Sequence, residues 1–531
     1  MTSIGVSAFY KCTALSSVEI PEGVTDIGNY AFQSCTALTN VEIPEGVTYI
    51  GGAAFGYCKN LQNIILPESL TKIGTTDYNF NNEGTFSYCE SLTSITIPKG
   101  IKEIPEYTFS FCSNLESVKI PKGVITLGAF VFGGCEKLVD VQLPASLKKI
   151  DRCAFINCKS LKNLDLPKNI HNIYDETFSG CTSLENITLP GVTWVDTFAF
   201  ASCTSLKELD LSHARMIGRN ALSNCSSLTN VKLSDSIETI GEGMFDGCSS
   251  LTSITIPKSV KTIEDGAFRF CSGLNEIVVD EENENYYSSG NCLMERETKA
   301  LILGCNNSQI PDDVKYISSY AFSGCESLAE IVLPSSLTSI GAHAFSRCKS
   351  LGDVVIPSST RYIGDYAFSE CSNMTSIEIP KSVTSVGSYI FTGCSKDLIV
   401  YAVLNSAAAK EAKYEGYTVK SIGEECEIEG EKYQYRLLSD NTVEILDYMG
   451  SSAELTIPNE IDNKSVTSIA ADAFSECDTL TKITIPDTVV SIGNTAFYKC
   501  SNLISVKFPS SMENIGRAAF SQCKNLTSIE L

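Results

Sequence analysis

Cysteine is the residue of this sequence with the widest chemistry, since thiols form disulfides, ligate metal ions and act as nucleophiles. The chain has 531 residues and 23 cysteines, and nineteen of these recur at an interval that is mostly 22 or 23 residues. They are Cys12, Cys35, Cys58, Cys89, Cys112, Cys135, Cys158, Cys181, Cys203, Cys225, Cys248, Cys271, Cys325, Cys348, Cys371, Cys394, Cys477, Cys500 and Cys523. A fixed period of this length is typical of a solenoid built from stacked repeats.

In such a stack, equivalent cysteines lie about 4.8 Å apart, which raises the question of a disulfide ladder. A disulfide needs Cβ atoms about 3.5 to 4.5 Å apart and a near-perpendicular dihedral angle, whereas side chains on in-register turns point the same way. Disulfides also belong mostly to small secreted domains, and a long repeat array buries a continuous core. The spacing therefore favours cysteine as a small apolar core residue. The core cysteines expected on this basis begin with Cys12, Cys35, Cys58, Cys89, Cys112 and Cys135.

Metal binding and catalysis find little support in the other residues. The chain has three histidines, His171, His213 and His343, and the repeat spacing does not resemble that of a zinc site. No phosphate-binding loop, zinc-protease motif or nucleophile elbow occurs. The acidic run at residues 280–285 lacks the spacing and the glycine of a calcium loop, and we interpret it as a solvated turn. We therefore expect no metal, no cofactor and no enzymatic activity.

The residues between the cysteines predict one short strand per repeat. Counting from Cys12, apolar residues come at the third, sixth and eighth positions (Leu15, Val18 and Ile20), followed by proline. The sixth and eighth residues share one face of a strand, and the proline stops it. The rest of the repeat, which includes an Ala-Phe pair before the next cysteine, leaves too little room for a full helix. The return segment is therefore predicted to be irregular or 3₁₀, and the fold a right-handed coil of short parallel β-strands.

Segments such as CTALTNVEIPEGVTYIGGAAF and CSSLTSITIPKSVKTIEDGAF resemble the BspA-like leucine-rich repeats, which share the cysteine, the apolar positions and the Ala-Phe pair. The resemblance covers nearly the whole chain. It implies a leucine-rich repeat solenoid from a surface-exposed or secreted protein of host-associated bacteria or parasitic protists. It also implies adhesion to host matrix proteins, host cells or other microbes, without catalytic residues.

Departures from the period predict how the first part of the chain is organised. A first repeat array is expected at residues 1–402. It carries an extra loop at 75–82 and a β-hairpin inserted at about 281–310. Both ends of the chain fall in mid-repeat, so we expect a fragment of a longer repeat protein.

A second array is predicted after a break in the pattern. Residues 403–424 are expected to form a C-terminal cap and linker, with a short helix that begins near Asn405 or Ser406. Residues 425–465 are expected to form a β-hairpin that caps the N-terminal side of the second array at 466–531.

Charge restricts the partners of the chain. A formal net charge of −23 argues against nucleic acid and anionic membranes, because the field of the protein repels phosphate. The sequence shows no charged-then-apolar leader and no apolar run of 18 or more residues, so no membrane insertion is expected within this chain. An extracellular or cell-surface location is implied by the family resemblance alone.

Large side chains mark one candidate binding surface. Four consecutive repeats carry a ring two residues before the repeat phenylalanine: Tyr320, His343, Tyr366 and Tyr389. Stacking predicts a ladder with steps of about 5 Å, and aromatic rings offer large contact areas at low entropic cost. The alternative is packing along the return side, because Tyr30, Tyr107 and Phe130 occupy the same place.

The sequence thus predicts a binding module for a protein or glycan ligand on a host or microbial surface. The alternative function is a structural spacer or self-associating stalk that presents another domain. The two differ in the variable positions, because a spacer needs only polar variety whereas a binding face needs clustered large side chains. The outward residues of the predicted strands are mostly small or charged, so that face is expected to be plain scaffold.

Overall fold

The computed structural model describes residues 1–74, 83–403, 406–438 and 440–530. The loop predicted at 75–82 lies outside the described residues. Within them the chain forms a parallel β-solenoid that contains a single short helix. The solenoid predicted from the cysteine period is therefore confirmed.

A short strand begins five residues after most repeat cysteines, as the sequence predicts, and we call these strands and the strands that pair with them in register the front strands. In Asn40–Glu42 the side chain of Val41 is buried and both neighbours are exposed. Successive front strands pair in parallel with an offset of one repeat, as Asn40 pairs with Asn63. The front strands are Asn40–Glu42, Asn63–Ile65, Ser94–Thr96, Ser117–Lys119, Asp140–Gln142, Asn163–Asp165, Asn186–Thr188, Glu208–Asp210, Asn230–Lys232, Ser253–Ile256, Glu276–Val279, Val354–Val355, Ser376–Ile379, Ile399–Ala402, Thr418–Ser421, Glu454–Thr456, Lys482–Thr484, Ser505–Lys507 and Ser528–Glu530.

A second strand of two residues, the return strand, lies on the way back to the next cysteine. The sequence predicts irregular or 3₁₀ segments here, but the described residues contain no 3₁₀ helix and hold this strand instead. Two residues are too few for alternation to reveal a strand, and stacking in register supplies the backbone partners that a lone segment lacks. The return strands are Ser3–Ile4, Asp26–Ile27, Tyr49–Ile50, Lys72–Ile73, Glu103–Ile104, Thr126–Leu127, Lys149–Ile150, Asn172–Ile173, Trp194–Val195, Met216–Ile217, Thr239–Ile240, Thr262–Ile263, Tyr316–Ile317, Ser339–Ile340, Tyr362–Ile363, Ser385–Val386, Ser491–Ile492 and Asn514–Ile515.

Left-handed backbone recurs at two places of the return segment: two residues before the repeat phenylalanine and directly before the cysteine. Tyr366 (φ 54°) and Glu370 (φ 58°) show both places in one turn. Residues with a Cβ enter this region at a cost of about 1–2 kcal/mol, and glycine, as at Gly243 and Gly247, avoids it. The Tyr366 N–H donates to the Ser388 carbonyl of the next turn at 3.0 Å. Hydrogen bonds between turns thus hold the strained conformation in place.

Phenylalanine rings and cysteine thiols fill the centre of the turns. The rings of Phe86 and Phe109 in successive turns stack with 5.5 Å between their centroids. The thiol of Cys112 donates to the carbonyl oxygen of Phe86 at 3.1 Å, and the same bond recurs in other turns. Each such thiol therefore fills the core and adds a hydrogen bond between neighbouring turns.

Burial of the cysteines follows their position in the stack. All 23 are free thiols, and Cys35, Cys58, Cys89 and Cys135 are buried together with Cys112. Cys12 is exposed, so its prediction as a core residue is wrong. The physical reason is that, among the described residues, only the following turn packs against it, where the Cys35 thiol donates to the carbonyl oxygen of Phe9 at 3.2 Å.

The predicted insertion forms a β-hairpin. Tyr286–Ser289 pairs antiparallel with Cys292–Glu295, and the strand Ala300–Leu303 follows. The buried side chain of Asn283 fixes the entry, because its oxygen accepts from the N–H of Tyr286 at 2.7 Å.

The predicted helix spans Ala407–Tyr414 and begins after Ser406, whose hydroxyl oxygen accepts from the Ala409 N–H at 3.2 Å. The hairpin predicted after it is also present, because Glu431–Leu437 pairs antiparallel with Val443–Tyr448. The remaining strands of this region are Glu424–Ile428, Glu460–Ile461 and Lys464–Ile469.

The chain divides into two compact units. The first comprises residues 1–297, 302–308 and 320–325, and the second comprises residues 298–301, 309–319 and 326–531. Both contain front strands and return strands. The array boundaries predicted from the repeats at 402, 424 and 465 stay predictions.

Candidate binding surface

The place two residues before the repeat phenylalanine displays side chains at a regular interval. Its N–H donates to a carbonyl oxygen of the next turn, from His343 to Asp365 at 2.8 Å and from Tyr366 to Ser388 at 3.0 Å. The backbone, rather than contact between the rings, therefore sets the spacing of whatever side chains stand there.

Three of the four predicted rings come together in the second compact unit. His343 and Tyr366 stack with centroids 4.9 Å apart and planes 5° apart, and Tyr366 and Tyr389 stack at 5.4 Å and 23°. His343 and Tyr366 are half-buried, and Tyr389 is 42% exposed. We call these three residues the ring strip. The ring strip is therefore partly buried and partly accessible.

The capping helix lies at one end of the ring strip. Glu411 of the helix accepts a hydrogen bond from the N–H of Tyr389 at 2.7 Å. The neighbouring phenol of Tyr414 raises the pKa of Tyr389, and Tyr414 itself is exposed. The helix therefore adds a further tyrosine to the accessible rings.

The fourth predicted ring, Tyr320, belongs to the first compact unit, where it is half-buried. The guanidinium carbon of Arg269 lies 5.3 Å from its ring centroid, a cation–π contact. Arg269 also pairs with Asp246 at 2.9 Å. Burial raises the pKa of Asp246, and Arg269 opposes that rise. Tyr320 stays a predicted member of the binding surface.

Rings at the same place in other turns favour a packing role as well. Tyr107 and Phe130 stack with centroids 5.0 Å apart, and both are half-buried, as is Tyr30. Packing and binding are compatible here, because a ring can cover the core with one edge and offer the other edge to a ligand.

Sequence reasoning missed a second aromatic strip in the first unit. Tyr57 and Tyr88 stack at 4.4 Å, and Tyr88 and Phe111 stack at 4.7 Å. All three stand directly before a repeat cysteine, at the other left-handed place of the turn. The sequence contains a signal for this strip, because all three residues stand at the same distance from a repeat cysteine. Residues at the same position of successive repeats lie on one surface of the solenoid.

Most thiols of the described part of the chain are buried. Burial raises the pKa of Cys112, Cys181 and Cys225 to about 12, so these thiols stay protonated at neutral pH. Among the described residues, no group of three or more His, Cys, Asp or Glu is placed to hold a metal ion. No helix of the described ranges has the length and apolar character needed to cross a membrane.

Comparison with known proteins gives the chain a family match. The family model described as BspA type leucine-rich repeat region (6 copies) matches it at residues 1–83, 81–207, 172–294, 302–408 and 448–531. No curated protein matches the chain.

Solved structures that match include three bacterial proteins. A leucine-rich repeat protein from Bacteroides ovatus is 23% identical, with a TM-score of 0.30 over 82% of this chain and 86% of that chain. A leucine-rich cell surface protein from Faecalibacterium prausnitzii is 21% identical, with a TM-score of 0.28 over 92% and 87%. The pneumococcal vaccine antigen PcpA is 19% identical, with a TM-score of 0.38 over 78% and 91%.

Proposed function

Because the chain belongs to the BspA-type leucine-rich repeat family, we propose that it is a non-catalytic binding or adhesion module of a cell-surface or secreted protein. Its ligand is a protein or glycan on a host or microbial surface. Its role is host–microbe interaction, with neither nucleic acid nor a cofactor involved.

The ring strip is the observation that carries this proposal. His343, Tyr366 and Tyr389 stand on a hydrogen-bonded framework that fixes their spacing, so they lose little freedom when a ligand binds. Tyrosine combines a large apolar face with a hydroxyl, which suits both sugars and protein surfaces. Tyr320, which belongs to the first compact unit, is proposed as a binding residue from its place in the repeat alone.

The alternative function, a spacer or self-associating stalk, is supported by polar contacts between successive turns. Lys159 pairs with Glu136 at 2.8 Å, and Lys207 pairs with Glu185 at 3.0 Å, each across one repeat. These ion pairs stabilise the stack of turns without any ligand, as a spacer requires.

Serine substitutions separate the two functions. We expect the double variant Tyr366→Ser/Tyr389→Ser to bind at least about tenfold more weakly, since central tyrosines dominate interface energies. Capture would be measured against purified extracellular-matrix proteins and a glycan array, with thermal melting in parallel. Tyr107→Ser is the matched control, because it removes a half-buried ring at the same place of another turn. Unchanged binding per folded molecule in the double variant would reject the ring strip as the binding surface.

A further inference from the structure

A groove of about 850 Å³ lies at the ends of the front strands in the first compact unit. Its floor is apolar and consists of the residues that follow successive front strands: Ile97, Ile120, Pro121, Leu143 and Pro144. Ile97 is 3% exposed and Ile120 is 5% exposed, so the floor of the groove is the edge of the core.

Lysine side chains surround this floor. Lys99, Lys119 and Lys122 line the groove and are exposed. Lys102 reaches the same place, because a Cβ added at Gly123 would lie 2.9 Å from its Nζ. Gly123 is itself a lining residue and has a φ of 108°, which glycine adopts without strain. We call the four lysines the lysine rim.

The lysine rim lacks the partners that lysines have at the same positions of another repeat. Lys258 and Lys261 stand ten and thirteen residues after a repeat cysteine, as do the first two lysines of the rim. The ammonium group of each lies 2.7 Å from a glutamate oxygen of a neighbouring turn. Among the described residues, none of the four ammonium groups of the rim forms an ion pair. Glu68 is the single acidic residue of the described lining.

The other carboxylates around the groove stand outside its lining. Glu45 accepts from two backbone N–H groups of the next turn at 3.1 and 3.3 Å, and Asp165 accepts from a threonine hydroxyl at 2.7 Å. Glu103 belongs to a return strand. Glu116 and Asp140 stand two or three residues before the lining residues of their front strands, which corresponds to about 7–10 Å. The groove therefore keeps an excess of positive charge.

Lysines of the rim also stand next to one another. Lys99 and Lys122 occupy the same position of successive repeats, so their Cα atoms are about 5 Å apart. Lys119 pairs in register with Thr96 and Gln142, which are both neutral. Like charges at this spacing repel each other. An anionic ligand would remove this repulsion, whereas a neutral or cationic ligand would not.

The lining favours one class of anion. Its apolar floor suits apolar side chains, and the described lining offers no aromatic ring on which a sugar could stack. A long polyanion or a second copy of this chain would meet the net charge of −23. A short segment is affected mainly by the rim, because salt screens charges beyond about 8–10 Å. A peptide with both acidic and apolar side chains matches the rim and the floor.

We propose that this groove docks a short extended segment of a partner protein in which acidic residues alternate with apolar or small ones. Its carboxylates pair with the lysine rim, and its apolar side chains cover Ile120 and Leu143. The volume of the groove lies within the range of about 300–1,000 Å³ that is typical of ligand sites. The inference rests on the proposed binding function but uses a different surface.

Peptide binding tests the charge and the apolar contact. The probe is the fluorescein-labelled, amidated octapeptide Glu-Leu-Glu-Ser-Glu-Leu-Glu-Ser, and fluorescence anisotropy with the full chain is the readout. We expect saturable binding that weakens about tenfold when NaCl rises from about 0.05 to 0.5 M. Glutamine in place of glutamate should abolish binding, and serine in place of leucine should weaken it about threefold. No binding of the parent peptide, or equal binding of either substituted peptide, would overturn the proposal.

Variants locate the bound peptide. Lys99→Gln/Lys102→Gln should weaken its binding about tenfold. Lys258→Gln/Lys261→Gln is the matched control, because it removes the same charge from the same repeat positions outside the groove. The control should change binding by less than about twofold. Equal weakening by the two variants would indicate general electrostatic attraction and would overturn the proposal. Thermal melting in parallel shows that both variants fold.

Two further measurements test other occupants of the groove. A sulfated hexasaccharide should displace the octapeptide only weakly; tighter binding than the peptide, lost in Lys99→Gln/Lys102→Gln, would assign the groove to an anionic glycan. Light scattering should give the same mass for the parent chain and this variant. A dimer that only the variant loses would assign the groove to a second copy. Either result would overturn the proposal.

The ring strip separates this inference from the proposed function. Tyr366→Ser/Tyr389→Ser should leave binding of the octapeptide unchanged, and Lys99→Gln/Lys102→Gln should leave ligand capture through the ring strip unchanged. Loss of peptide binding in the ring-strip variant would overturn the assignment to the groove. Ligand capture by a chain that does not bind the octapeptide would reject this inference and leave the proposed function intact.

Discussion

At the scale of single residues, the repeat cysteine combines two roles. It is small and apolar enough for the centre of a turn, and its thiol donates to a phenylalanine carbonyl of the preceding turn. The first role could be predicted from the period alone. The second could not, because the acceptor lies 26 residues earlier and becomes a neighbour only through stacking.

Buried thiols should make the fold sensitive to alkali. The usual pKa of a thiol is 9.0, and burial raises that of Cys112 and Cys181 to about 12. Between these values the unfolded chain releases protons that the folded chain keeps. The stabilisation is therefore present below about pH 9 and is lost as the pH rises towards 12. We expect the urea midpoint to fall steeply over this window.

The control for this prediction is a chain with fewer buried thiols. Cys112→Ala/Cys181→Ala lowers stability at pH 7 by leaving cavities and removing two hydrogen bonds. Its further loss between pH 7 and pH 10.5 should be smaller than that of the parent chain, since two titrating groups are gone. An equal loss in both proteins would show that tyrosine or lysine titration, not the thiols, governs the alkaline transition.

At the scale of elements, the front strand was predictable and the return strand was not. Alternation around Val41 and a proline stop identify the front strand within one repeat. The return strand is two residues long and exists because a neighbouring turn pairs with it. The sequence indicates the positions with left-handed backbone only where glycine or asparagine occupies them, as at Gly243 and Asn224.

The helix Ala407–Tyr414 and its C-cap residue Glu415 continue the hydrogen bonding between turns. In the preceding turn the N–H groups of Tyr366 and Phe368 donate to carbonyls of the next turn. In the following turn, Glu411 accepts from Tyr389 at 2.7 Å, and Glu415 accepts from Phe391 at 3.0 Å. Two carboxylates thus replace backbone carbonyls. Ser406 could be predicted as a helix cap, but these long-range acceptors could not.

Removal of the acceptor should destabilise the turn next to the helix. Glu415→Ala leaves the Phe391 N–H without its carboxylate, and a buried donor left in this way costs about 1–3 kcal/mol. The cost should appear as faster hydrogen exchange at residues 389–402. Lys410→Ala is the control, because it changes an exposed residue of the same helix and should cost less than about 0.5 kcal/mol. Equal exchange rates in the two variants would contradict the capping role of Glu415.

At the scale of the whole molecule, charged contacts join distant repeats within the second compact unit. Lys381 donates to the carboxylate of Asp447 and, at 3.3 Å, to the carbonyl of Ala473. Arg361 lies 3.9 Å from Asp472. The sequence cannot reveal such contacts, because partners 66 residues apart in different repeats share no pattern. They couple the predicted first array to the hairpin and second array that follow it.

Breaking this contact should cost far more than breaking an exposed pair. Asp447 is 8% exposed, and its burial raises its pKa although Lys381 opposes the rise. Lys381→Met leaves that carboxylate buried without a cation, at a cost of about 3 kcal/mol at pH 7. Lys159→Met, the control, removes a solvent-exposed partner of Glu136 and should cost less than about 1 kcal/mol. Local free energies would be measured by hydrogen exchange at residues 443–448 and, for the control, 163–165.

The pH dependence identifies Asp447 as the cause of that loss. A carboxyl whose pKa is raised in the folded state favours folding below its unfolded pKa, and this contribution is lost as the pH rises through the folded value. Without Lys381 the pKa of Asp447 rises further, so the cost of Lys381→Met should shrink between pH 7 and pH 4. Lys381→Met/Asp447→Asn should recover much of the loss at pH 7, because a neutral amide carries a smaller desolvation penalty. A loss that is the same at both pH values, or that the second substitution leaves unchanged, would mean that the lysine acts by packing and that the ion pair does not couple the repeats.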